Sequence, residues 1–221
     1  TADYYCDGTD DHVEIQKAID DLYAIGGGTV QLTNGQYNIS STLYIKANIK
    51  LSGVGDGSYV YSSNTANIIQ ANESNITIDN IRIHSKLTQS TSGGNLSISR
   101  CTMEYDVVNL ESNSTISDCS FIGSSYIRAY EKSIIYGCYF ETSSVQPVLL
   151  EGANGSSMSN CVINMTSTTV TCIKCISSDY NTISAVKING ITRAASVVGI
   201  DVANSDYTII SNNNINNVKT S

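Results

Sequence analysis

Ile98-x-x-Cys101-x-Met103 is followed by Ile116-x-x-Cys119-x-Phe121, Ile135-x-x-Cys138-x-Phe140 and Met158-x-x-Cys161-x-Ile163. The phrase also stands earlier as Ile78-x-x-Ile81-x-Ile83 and later as Ile183-x-x-Val186-x-Ile188 and Ile210-x-x-Asn213-x-Ile215. Copies begin about 18 to 27 residues apart, the interval of a solenoid. Each is too short to bury its own apolar side chains and must stack on its neighbours. In-register stacking sets like residues about 4.8 Å apart. A core ladder of Ile78, Ile98, Ile116, Ile135, Met158, Ile183 and Ile210 is expected, beside a second of Cys101, Cys119, Cys138 and Cys161. The Ile, Met and Phe that end each phrase make a third. A lone proline, Pro147, suits a chain in which nearly every amide donates to a ladder.

With 221 residues the chain is read as a single domain, residues 1–28 forming an N-terminal cap and 29–221 the coils. Charged residues are only 14 % of it, yet the net charge is -8. Such a surface argues against nucleic acid and anionic membranes as partners. No apolar run approaches the roughly 18 residues of a membrane span, so no membrane insertion is expected. No signal peptide is recognised, and a start at Thr1-Ala2 is compatible with a processed, secreted chain.

Seven cysteines leave one over. The ladder cysteines read either as small buried hydrophobes or as vertical disulfides, Cys101 with Cys119 and Cys138 with Cys161. Cys172-Ile-Lys-Cys175 lacks a second pair or a nearby His, which argues against zinc. Cys6 is the candidate for an intermolecular disulfide.

Residues 1–25 stand outside the repeat. Asp11 with Glu14 reads as a capping box, and Ile15, Ala18, Ile19 and Leu22 mark one apolar helix face. Gly26-Gly27-Gly28 ends the helix, which would cover the first coil. Thr29–Leu32 and Tyr37–Ile39 follow as short strands around an Asn34-Gly35 turn. The segment Asp3-Tyr4-Tyr5-Cys6-Asp7-Gly8-Thr9-Asp10-Asp11, with Gly27–Leu32, Gly35–Ile39 and Leu51–Gly55, resembles the N-terminal cap of right-handed parallel β-helix proteins. That group, the pectin lyase-like superfamily, includes pectate lyases, polygalacturonases, phage tailspikes and surface or sheath proteins of methanogenic archaea. The resemblance implies an all-β, right-handed parallel β-helix with a short capping helix. The scaffold hosts many roles, so it carries little about function.

Among these relatives, lyases need carboxylates that hold Ca²⁺ beside an Arg or Lys base, and hydrolases need paired aspartates. Here Glu104, Asp106, Glu111, Asp118, Glu131 and Glu141 fall on neighbouring coils at unequal ladder offsets, as expected of solvated side chains. Glu104 and Glu141 share an offset, but Ile122 stands between them. His12 and His84 have no Ser or Cys partner at triad spacing. No catalytic residue, metal ligand or cofactor is therefore assigned. Tyr126, Tyr130, Tyr136 and Tyr139 read as an outward aromatic stripe or as ordinary cross-strand stacking. Asn72, Asn113 and Asn154 open sequons in expected turns and are candidate N-glycosylation sites. Asn212, Asn213 and Asn214 mark a candidate assembly face at the last coil, where an uncovered strand edge invites pairing.

The leading expectation is a self-assembling extracellular protein, a cell-envelope sheath or surface-layer subunit whose partners are copies of itself and glycans. A polysaccharide lyase or hydrolase and a virion tailspike are the alternatives.

Overall fold

The computed structural model describes residues 3–63, 68–89, 94–104, 107–144, 146–166, 169–190 and 196–216. Helix α1 (His12–Ala24) precedes strands β1 (Gly28–Gln31), β2 (Gly35–Asn38), β3 (Leu43–Tyr44) and β4 (Ile49–Tyr61). Then come β5 (Ile68–Gln70), β6 (Ile76–His84), β7 (Lys86–Thr88), β8 (Leu96–Ser99) and β9 (Thr102–Glu104). The β7–β8–β9 set is repeated five more times, ending in Ser196–Ala203, Ile209–Ser211 and Asn214–Asn216. Strands pair in parallel with the equivalent strand one coil away, building a 16-stranded and an 8-stranded sheet.

The repeat phrase lines the inside. Ile78, Ile98, Ile116, Ile135, Met158, Ile183 and Ile210 stand in one column of register partners. All but Ile210 are fully buried. Cys101, Cys119, Cys138 and Cys161 are buried beside them, and every cysteine is a free thiol. The Cys101 amide donates to Cys119 Sγ at 3.5 Å, and the Cys138 amide to Cys161 Sγ at 3.4 Å. In the third column Phe121 and Phe140 stack with centroids 4.7 Å apart. Burial of such side chains is worth about 1.5–3 kcal/mol each, which stacking supplies and an isolated coil cannot.

The three-residue gap between Ile and Cys has a backbone cause. In a strand, inward residues recur every second position. The residue just before the cysteine column adopts a left-handed conformation: Asn80 (φ 58°), Arg100 (54°), Asp118 (54°), Gly137 (66°), Asn160 (53°), Ala185 (52°) and Asn212 (55°). That single residue turns a corner between two faces of the tube and restores inward pointing on the far side. Asn and Gly tolerate the conformation best. At Gly137 a Cβ would also stand 2.5 Å from Asp118 Oδ1.

One local reading is corrected. Asp11 is no capping box: its own backbone is helical (φ -56°, ψ -11°) and its side chain caps nothing in α1. Its buried carboxylate accepts instead from the Gly8 amide at 2.8 Å and the Asn38 amide at 2.7 Å. It ties the entering chain to β2 by accepting one backbone amide from each. β1 and β2 both run parallel to β4. α1 covers the first coil through Ile15, Ala18 and Ile19, with Leu22 partly buried.

Candidate functional site

Outward residues of β4, β6 and β9 come together on one face. Tyr59 is in register with Arg82, Arg82 with Thr102, and Tyr61 with His84. The Arg82 guanidinium lies 4.5 Å from the Tyr59 ring centroid and donates from Nη2 to Glu104 Oε1 at 2.7 Å. The Tyr59 hydroxyl donates to the other Glu104 oxygen at 3.4 Å. Tyr61 stacks on His84 with centroids 5.0 Å apart, and Tyr59 is tilted against Tyr61 at 5.8 Å. A register shift in β4 around Gly55 throws Asp56 outward, where Thr102 Oγ1 donates to it at 2.8 Å. The Glu104 side chain is only 11 % exposed.

The electrostatics follow from these contacts. Burial, and then the Glu104 charge, pushes the Tyr59 phenol above its ordinary value, so it stays protonated at neutral pH. The hydrogen bond to Glu104 raises Arg82 further. The face therefore offers aromatic rings beside a charge-compensated pair, with neither a free cation nor a phenolate base.

An arginine–glutamate pair beside a tyrosine also occurs on the other sheet. Arg128 donates from Nε to Glu151 at 2.7 Å, and its guanidinium lies 5.7 Å from the Tyr130 centroid. In both sets the glutamate sits two residues beyond the arginine's register partner on the next coil, Thr102 for Arg82 and Leu149 for Arg128. A third charged group is structural: buried Asp79 receives Lys50 at 2.9 Å, Arg100 at 2.6 Å and Ser99 Oγ at 2.9 Å.

No protein-family model matches the chain. Two curated proteins of Azotobacter vinelandii match a short stretch of it. Mannuronan C5-epimerase AlgE2 is 44 % identical over 59 residues, 24 % of this chain and 6 % of the epimerase. Mannuronan C5-epimerase AlgE4 is 42 % identical over 59 residues, 24 % of this chain and 11 % of the epimerase. The shared stretch is thus a small part of those relatives' length. Solved structures match over nearly the whole chain. The AlgE4 A-module has TM-score 0.51 at 15 % identity, covering 97 % of this chain and 94 % of that one. The Streptococcus pneumoniae surface adhesin PfbA has TM-score 0.63 at 11 % identity, with 98 % and 80 % covered. A tailspike protein of E. coli bacteriophage HK620 in complex with a pentasaccharide has TM-score 0.56 at 15 % identity, with 96 % and 56 % covered.

The chain is a parallel β-helix protein. On this β-helix the residues singled out by sequence are distributed unevenly. Glu104 is no solvated side chain; Arg82 and Tyr59, brought over it by the winding, hold it. His84 lies against Tyr61, while His12 sits far from it on α1. Asp118, Glu131 and Glu141 are exposed, and Ile122 is in register with both Glu104 and Glu141. Asp106 lies outside the described residues.

The four tyrosines make no stripe. Tyr126 and Tyr130 flank one sheet, whereas Tyr136 and Tyr139 sit on the two faces of the other, divided by the corner at Gly137. A stacked pair occurs instead at Tyr180 and Tyr207, whose rings are 5.0 Å apart at a corner where earlier coils use Asn75, Asn95 and Asn113.

Cys6, Asp11 and Glu14 group their ligand atoms within 4.8 Å of one another. Both Asp11 oxygens already accept backbone amides, and burial followed by nearby carboxylates pushes the Cys6 thiol up to about 11. That thiol is a poor nucleophile for disulfide exchange. Cys172 and Cys175 are buried on one strand, with thiols raised by burial to about 12 and about 11. Asn113 and Asn154 are exposed in turns, and Asn72 is half-buried against Gln70. Asn213 turns back into its own tube: Oδ1 accepts from the Val186 amide at 2.8 Å and Nδ2 donates to the Ile183 carbonyl at 3.0 Å. It thus takes the place a cysteine sulfur holds on earlier coils. Asn212 forms the corner and Asn214 pairs with Lys187.

Proposed function

We propose that this β-helix is an extracellular or virion-surface module that holds a glycan against the face formed by Tyr59, Tyr61, Arg82 and His84. The observation that carries this reading is the pair of tyrosines on one strand, one beside an arginine–glutamate pair and the other stacked on histidine. Ring faces pack on the C–H faces of sugars, and the paired ions supply directional hydrogen bonds. The similar structures support the setting, since they include a surface adhesin and a tailspike seen with a pentasaccharide. Affinity electrophoresis against a polysaccharide panel tests it. Tyr61→Ala and Tyr59→Ala should each weaken retention about tenfold, roughly 1.4 kcal/mol. Retention unchanged in both variants would refute the site.

A second reading is assembly with copies of itself, as in a sheath or surface layer. Its support is apolar exposure on the outward side of one mid-chain strand, where Ile134 and Tyr136 are 46 % and 45 % exposed. Electron microscopy with and without thiol reductant tests it. Ordered filaments would support it, and monodisperse particles under both conditions would count against it.

A further inference from the structure

The ligand class can be narrowed from the charges on the face, given the glycan-binding reading above. We infer that the Tyr59–Tyr61–Arg82–His84 face takes a neutral, hydroxyl-rich glycan and not a polyuronate. A uronate carboxylate needs a cation whose charge is not already satisfied. Arg82 is the permanently charged cation of the cluster, and Glu104 holds it at 2.7 Å from a position that is 11 % exposed. A uronate could reach only the N–H groups that Glu104 leaves open, and there it meets a guanidinium whose charge Glu104 already offsets, so little Coulomb energy is gained. Asp56 adds a second carboxylate beside Arg82, bonded to Thr102 at 2.8 Å. The whole chain carries -8, so its field slows the approach of any polyanion.

The same groups suit hydroxyls. A sugar hydroxyl donates and accepts, and the face presents both kinds of partner: the Arg82 Nη N–H groups that Glu104 leaves open (Nε is buried), the exposed edge of the Glu104 carboxylate and the Thr102 hydroxyl oxygen. Neither member needs to break its ion pair to make these bonds. The pattern at Arg128, Glu151 and Tyr130 repeats this compensation on the second sheet.

The test is affinity electrophoresis of the wild type, Tyr61→Ala and Glu104→Gln against neutral polymers (dextran, mannan, galactan) and polyuronates (alginate, polygalacturonate), at low and at 150 mM salt. Circular dichroism confirms that each variant is folded. Wild type should be retained by a neutral polymer, with little salt dependence and at least tenfold loss in Tyr61→Ala, and should run freely through polyuronates. Glu104→Gln keeps the shape and frees the Arg82 charge, so it should gain at least tenfold affinity for polyuronate, a gain that salt abolishes. Tighter wild-type retention by a polyuronate than by every neutral polymer would overturn the neutral-ligand inference and leave glycan binding standing. Failure of Glu104→Gln to gain polyuronate affinity would overturn the charge argument by itself. Free migration of the wild type through every gel would take down both readings.

Discussion

Ile116→Asp is expected to unfold the coils on either side of it, at a cost of at least about 4 kcal/mol. Ile116 is fully buried and stands in register between Ile98 and Ile135. The substitution removes a well-packed aliphatic side chain and puts a carboxylate where no donor reaches it. Cys119 and Cys138, in the adjoining column, are themselves buried and supply no cation. Since each coil is held by its neighbours, the damage should begin locally and spread outward. Urea titration followed by circular dichroism measures the loss, and limited proteolysis should show first cleavage near residues 100–140. A soluble variant with unchanged midpoint would mean that the column does not face the interior.

The second large effect belongs to Asp79. Removing its carboxylate in Asp79→Ala leaves Lys50 and Arg100, both bonded to it now, on the two coils that flank its own with no anion between them. Breaking a buried ion pair from one side costs about 3–5 kcal/mol. Lys50 and Arg100 side chains are 42 % and 61 % exposed and can swing into water, which brings the expectation to about 2–3 kcal/mol. A pH signature separates this from simple loss of packing. Burial alone would raise the Asp79 carboxyl, but hydrogen bonds from Lys50 and Ser99 and the two positive charges outweigh it and hold it below the usual carboxylate value. A lowered carboxyl stabilises the fold above its unfolded value of about 3.9 and loses that contribution as pH falls through the folded value. The gap in urea midpoint between wild type and Asp79→Asn should thus be wide at pH 7 and shrink below about pH 4. A gap that stays constant down to pH 2 would show that the charge contributes nothing.

The inside of the tube was legible because it repeats. Ile98, Cys101 and Met103 announce three columns, whereas the column of Leu87, Val108, Ile127, Val148 and Ile173 on the other sheet is just as buried but belongs to no phrase of fixed spacing. The corner residue went unread, although Asn80, Asn160, Asn212 and Gly137 carry its signal, because Arg100 and Ala185 occupy the same position and hide it. The candidate face was far less visible. Tyr59 and Glu104 are 45 residues apart, and only the exact coil lengths decide that they meet. The irregular register of β4, which shifts between Ser52 and Gly55 and again before Tyr59, is not encoded in any short motif. Asp11 misled for a related reason: a helix-start pattern is local, whereas its partners Gly8 and Asn38 come from the chain wrapping past it.

The parallel winding leaves no hairpin among the described strands, so no strand can find its partner without a full lap of chain between them. Loop closure over a lap costs entropy before any contact repays it, and a half-made tube offers a template at its growing rim. α1 seals the first lap, which makes that lap the natural seed on which the following ones are wound. Once it stands, each later lap needs only its own closure, so protection against hydrogen exchange should be acquired lap by lap away from α1.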